Sequence, residues 1–181
     1  METRTRIVEA YTNQLREHGA PPLTVHAFCK SLNLAERDFF QEFASLESVE
    51  SAIWGAWISG LTARLESGAE WKEFSARHRY LTFLFAFTES SLDWRSLMLT
   101  RFNPLSPVAS PPFLKAFEEH FKAFASDIIS HGISTGEIAH RGQLQAVYPA
   151  VLYIHFRAVI SFLLRDESKR FERTDAFIEK T

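Results

Sequence analysis

The chain has 181 residues, enough for one good core or for a small head on a larger body. It is 46% hydrophobic and 23% charged, with a net charge of −2, so bulk positive charge cannot hold it on nucleic acid; only the distribution of charge leaves room for such a partner. A single cysteine, Cys29, excludes an internal disulfide framework and fits a reducing, cytoplasmic setting.

The sequence begins Met-Glu-Thr-Arg with no apolar run behind it, so no secretory signal is expected. Ile7, Ala10, Tyr11 and Leu15 recur at helical spacing, and Gly19 stands where that helix would stop. Pro21 and Pro22 block continuation. Thr24 is placed to cap a short helix to about Leu32, and Asn33 suits a left-handed turn into a second short helix over 35–43. Ser45 is placed to cap a long helix over 46–67, which Gly68 ends. A further long helix is predicted over 71–92 and a shorter one over 93–102. The stretch 103–112, "NPLSPVASPP", carries four prolines and reads as a loop.

Phe117, Phe121 and Phe124 form one stripe of a helix over 113–131, and "HGISTGEIAHRG" marks a turn. A nearly all-apolar helix follows over 143–165, with Pro149 expected to kink it. Pro149, His155 and Arg157 in this stretch argue for a buried helix and against a membrane span. An amphipathic helix closes the sequence over 168–181. No segment alternates with period two, and there is no internal repeat, so the fold class is all-α.

Residues 7–49 thus read as three helices with the middle turn spaced for helix-turn-helix. "RIVEAYTNQLREHG", "LTVHAFCKSLNL" and "AERDFFQEFASLESV" together resemble the N-terminal domain of the tetracycline-repressor (TetR) family of bacterial regulators. "HGISTGEIAHRG" and "FERTDAFIEKT" are similar to the family's turn before its penultimate helix and to the start of its last helix. The resemblance implies a helix-turn-helix head over 1–47 and a ligand-binding and dimerisation body over 48–181. It further implies a homodimer through 143–181, DNA as partner, and a small apolar ligand. The apolar character of 143–164 independently asks for a large burial partner, either a second copy or the centre of a bundle.

Carried over residue by residue, the resemblance makes Thr24, Lys30, Ala35, Arg37, Asp38, Phe40 and Gln41 the DNA-facing positions. Phe39 and Phe43 match the family's buried aromatics. Ala35 stands at its Ser, Asp38 at its Thr, Phe40 at its Tyr, and nearby Leu46 at its Lys. Gln41 is able to donate to a base edge, and Arg37, Lys30, Arg4 and Arg6 are available for phosphates. The charge runs the other way: residues 1–47 hold five basic and seven acidic residues, leaving 15 of each for the rest. A carboxylate about 4 Å from a phosphate costs about 1 kcal/mol even in water. Lost cations and hydroxyls in both heads of a dimer therefore reach several kcal/mol, comparable with the gap of about 4–10 kcal/mol between specific and non-specific binding. The alternative is a TetR-fold lipid or small-molecule binding module that has lost its operator.

The sequence holds 17 Phe against 4 Tyr and 4 Trp. Trp57, Tyr80, Phe83, Phe87, Phe102, Phe117 and Phe121 are the candidate lining of a pocket for an apolar effector; the same spacing also suits plain core. No His, Cys or carboxylate spacing suggests a metal site, and no phosphate-binding or nucleophile motif suggests a cofactor or an enzyme. His155 reads as a hydrogen-bonded core or interface residue.

Overall fold

The computed structural model describes residues 2–102 and 110–180. The loop expected over 103–112 lies mostly outside them. Among the described residues there are helices and turns and no strand.

Helix α1 (Thr3–His18) ends where Gly19 turns left-handed at φ 66°, its N–H returning to the Leu15 carbonyl at 2.8 Å. Helix α2 (Val25–Ser31) starts at Thr24, whose Oγ1 accepts the Ala27 N–H at 3.1 Å. Asn33, at φ 49°, makes the tight turn into α3 (Glu36–Glu42). The three helices close on Ile7, Tyr11, Leu15, Phe28 and Phe39, with Tyr11, Phe28 and Phe39 meeting edge to face.

Helix α4 (Leu46–Glu66) begins with a reciprocal cap between Ser45 and Ser48. It runs from this small bundle into the larger one and packs most extensively on α7 (Lys115–Ser134). Gly55 permits that approach: a Cβ there would stand 2.6 Å from the Ala116 Cβ. The apolar core is continuous from Ile7 to Ile178, so head and body share it through α4.

The helix expected over 71–92 divides. Ala69–Glu73 forms a 3₁₀ turn, Phe74 and Ser75 are extended, and α5 runs Ala76–Ser90. The reason is a remote cap. The Glu137 carboxylate accepts the Ala76 and Arg77 N–H groups at 2.6 and 3.1 Å, and these bonds hold its carboxyl below the ordinary range. Gly132 brings that turn in close, since a Cβ there would meet the Ala76 Cβ at 2.8 Å. A 3₁₀ turn over Ser91–Trp94 leads into α6 (Arg95–Arg101).

The expected kink at Pro149 is also corrected. Gly142 to Val147 is 3₁₀, and α8 (Tyr148–Arg165) begins one residue before the proline. In the first turn no N–H has an intrahelical acceptor, so proline fits without bending the helix. Nor is α8 buried all round. Tyr153, Phe156, Val159, Ile160 and Leu163 face the core, while Val147, Val151, Ile154 and Phe162 are exposed. The stretch Gln145–Arg165 is long and apolar enough to cross a membrane, yet it carries Arg157 buried in the bundle.

Helix α9 (Glu172–Glu179) is held by Asp166. That carboxylate accepts the Ser168 and Thr174 N–H groups at 2.8 and 2.9 Å and both hydroxyls at 2.6 and 2.7 Å. Burial pushes the carboxyl up, but these four bonds outweigh it and hold the pKa at about 2 against an ordinary 3.8. A depressed folded-state pKa stabilises above the unfolded value. The contribution, about 2 kcal/mol, is therefore complete above pH 3.8 and lost as pH falls toward 2. Asp166→Asn should remove a comparable amount at neutral pH and flatten the acid limb of stability between those values. Urea melts of both proteins at pH 7 and pH 3 check this.

Candidate DNA-reading face and ligand-binding body

Phe39 of α3 is fully buried and Phe43, just past its end, nearly so, while Arg37, Phe40 and Gln41 are exposed on the helix. Phe40 is 53% exposed, its ring edge-on to Phe39 at 5.4 Å. Thr24, Lys30, Ala35 and Asp38 are exposed as well. The Thr24 cap uses an oxygen lone pair, so its hydroxyl hydrogen stays available for a phosphate. Ala35 takes the N-cap position of α3 and offers no side-chain cap. Among the described residues, Lys30 and Arg37 form no ion pair.

The acidic residues have local reasons. Glu36 and Asp38 occupy the first turn of α3, where the helix dipole favours negative charge. Glu36 Oε1 also meets His26 Nδ1 at 2.6 Å. Arg4 and Arg6 have structural work instead of the free position expected. Arg4 donates to the Glu42 carbonyl at 3.1 Å and lies 4.2 Å over the Phe43 ring. Arg6 donates to the Leu32 carbonyl at 3.0 Å. Each satisfies a carbonyl at the C-terminal end of a neighbouring helix and ties α1 to it.

Sequence reasoning missed the junction below this face. Glu50 of α4 is 1% exposed and accepts from Tyr11 Oη and Trp54 Nε1, both at 3.1 Å. Arg101 of α6 completes the set with a bidentate pair, Nε at 2.8 Å and Nη2 at 2.9 Å. Burial first, then the Glu50 charge, push the Tyr11 phenol far above its ordinary range. A cavity of about 470 Å³ opens beside this pair, bordered by Thr24, Ser45, Leu46 and Phe113. The only sequence signal was a Glu at a core-facing position of an apolar helix, one residue from Val49.

In the body the candidate ligand residues are brought together, as core. Phe83, Phe87, Phe117 and Phe121 are fully buried and Phe102 is 5% exposed. Phe156 of α8 sits among them, 4.6 Å from both Phe87 and Phe121 and 5.0 Å from Phe83. Trp57 lies tilted against Phe87 at 5.0 Å and donates to Ser90 Oγ at 2.9 Å. Phe102 meets Phe117 at 5.8 Å. The rings expected to line a pocket thus fill the interior with one another. Tyr80 stands at the edge, its hydroxyl 2.7 Å from His155 Nδ1, and burial holds that imidazole below its ordinary range. Among the described residues no group of three or more His, Cys, Asp or Glu lies close enough to hold a metal ion.

Three helices with helix-turn-helix spacing, joined through one long helix to an all-helical body, make a two-part architecture. Residues 79–181 match the family profile of the tetracyclin repressor-like C-terminal domain, and the chain belongs to the TetR family. No curated protein matches it in sequence. Solved structures share the fold. A protein of unknown function from Rhodococcus sp. RHA1 superposes with a TM-score of 0.62 at 18% identity, over 99% of this chain and 93% of that one. A TetR/AcrR family transcriptional regulator from Thermobifida fusca gives 0.55 at 18%, over 97% and 94%. Reduced NemR from E. coli gives 0.55 at 17%, over 99% and 96%.

Proposed function

We propose that this TetR-family chain is a cytoplasmic transcriptional regulator without enzymatic activity. It binds operator DNA as a homodimer and changes its DNA affinity when a small apolar ligand occupies the body. Residues 1–47 act as the reading head and 48–181 as the ligand-binding and dimerisation body. The observation that carries the DNA reading is the outward face of α3, where Arg37, Phe40 and Gln41 stand clear of an intact core, beside exposed Lys30 and Thr24. Gln41 and Phe40 suit a base edge and a thymine methyl, and Arg37 suits a phosphate. A ligand that favours one spacing of the two heads over another shifts DNA affinity by its differential binding to those states.

Selection from random DNA fragments at low salt, followed by mobility-shift titration, is the test. A preferred two-fold site is expected, with half-sites about one helical turn apart, roughly 34–36 Å. Arg37→Ala should weaken it about tenfold or more. The double substitution Asp38→Thr with Leu46→Lys should tighten binding and steepen its salt dependence. The same acidic first turn, with Arg4 and Arg6 engaged inside the head, favours a second reading: a family member that binds ligands without an operator. Failure to select any site at low salt would leave that second reading in place.

A further inference from the structure

The body's core is closed by rings, but one apolar cavity lies at its periphery, between the end of α7, the turn at 138–141 and the start of α8. It has a volume of about 300 Å³ and is walled by Ile129, Ile138, Tyr148, Val151 and Leu152, with Arg141 as its one charged lining residue. That volume is at the small end of ligand pockets, roughly 300–1,000 Å³, and an apolar wall with one oriented polar group is their usual chemistry. Arg141 is exposed and, among the described residues, has no ion-pair partner.

Two buried polar atoms, Gln145 Nε2 and His155 Nε2, have no hydrogen-bond partner among the described residues; neither residue lines the cavity. Both belong to the stretch that begins with the 3₁₀ turn over Gly142–Val147 and continues as α8, the cavity's wall. Buried polar groups without a partner are rare in native interiors. Tyr80, whose hydroxyl reaches His155 and the Leu152 carbonyl, links this wall to α5.

From this arrangement we infer that the cavity between α7 and α8 is a binding site for a small organic anion, a carboxylate on a compact aromatic or aliphatic body, with Arg141 holding the carboxylate. The inference rests on the reading of the body as a ligand-responsive unit and names its ligand class. The apolar part of the ligand replaces water against Ile129, Ile138 and Leu152. The carboxylate takes a bidentate pair from the guanidinium. Val151 belongs both to this wall and to the exposed face of α8, so occupancy is read directly where a second copy would dock.

Calorimetric titration of the full chain, without DNA, tests the site with phenylpropionate, hexanoate and the uncharged phenylpropionamide. At least one anion should bind. The amide should bind about tenfold more weakly or not at all, and Arg141→Met should lose a similar factor. Ala139→Trp, an exposed lining position, should abolish binding by filling the cavity. Thermal melts of both variants are expected to match the parent, because neither residue is in the core. No heat from either anion, or equal affinity for acid and amide, or binding untouched by both variants, overturns the inference. A protein that gives the expected titrations but selects no operator overturns the DNA reading alone. An operator complex released by other compounds while these anions fail to bind overturns this inference alone.

Discussion

Glu50→Ala should lower the melting temperature by on the order of 10 °C, the largest single effect expected in this protein outside the aromatic core. The carboxylate is buried at the meeting point of α1, α4 and α6, and three donors converge on it: Tyr11, Trp54 and Arg101. Removing it strands the Arg101 guanidinium and leaves the Tyr11 and Trp54 donors without an acceptor. Breaking one half of a buried pair costs about 3–5 kcal/mol, a large share of a typical total of about 5–15 kcal/mol. Glu50→Leu combined with Arg101→Met should recover part of the loss, since it leaves no unpaired charge, while the Tyr11 hydroxyl and the Trp54 N–H still lack their acceptor. Thermal denaturation followed by circular dichroism checks the set. A Glu50→Leu protein as stable as the parent would show that the pair contributes nothing. The consequence reaches function as well, because this network fixes the head against the body: Tyr11 belongs to the head, Arg101 to the body, and Glu50 to the helix that joins them.

Ile154→Arg should convert a dimer of this chain to monomer. Val151, Ile154 and Phe162 form an exposed apolar stripe along α8, with Val147 of the preceding 3₁₀ turn at its start, and Phe162 extends it by stacking on Phe177 of α9 at 4.7 Å. On the proposed homodimer, this stripe is the surface that the second copy would cover. A charge at its centre, duplicated by two-fold symmetry, faces its own copy and must be desolvated. Light scattering after gel filtration should give twice the chain mass for the parent and 20.8 kDa for the variant. The variant should keep its helical content, because Ile154 is 47% exposed and outside the core. A dimer that survives both Ile154→Arg and Val151→Arg would place the interface elsewhere, and the proposed operator geometry would go with it.

The head is legible in the sequence because its signals are local. Gly19, Thr24, Asn33 and Ser45 each act on the backbone within a few residues, and Phe39 and Phe43 recur at helical spacing. The all-α class followed from the same periodicity. The break before α5 was not legible, because its cap, Glu137, is supplied from about sixty residues away. Arg4 and Arg6 looked free for phosphates, since nothing in sequence reveals which carbonyl a long side chain will reach. Pro149 would kink a helix that began at Gln143, but the 3₁₀ turn over Gly142–Val147 puts it in the first turn of α8, a boundary that no local signal marks.

Sequence alone thus determined the helical class, the helix-turn-helix spacing and the family resemblance, all consequences of residue choice within one or two turns. Tertiary structure decided the rest. It turned the aromatic residues into a filled core, made Glu50 the joint between head and body, and left one face of α8 uncovered. Those outcomes depend on which surfaces meet. Packing, desolvation and charge pairing act between residues far apart in the chain, and no spacing rule along the sequence reports them.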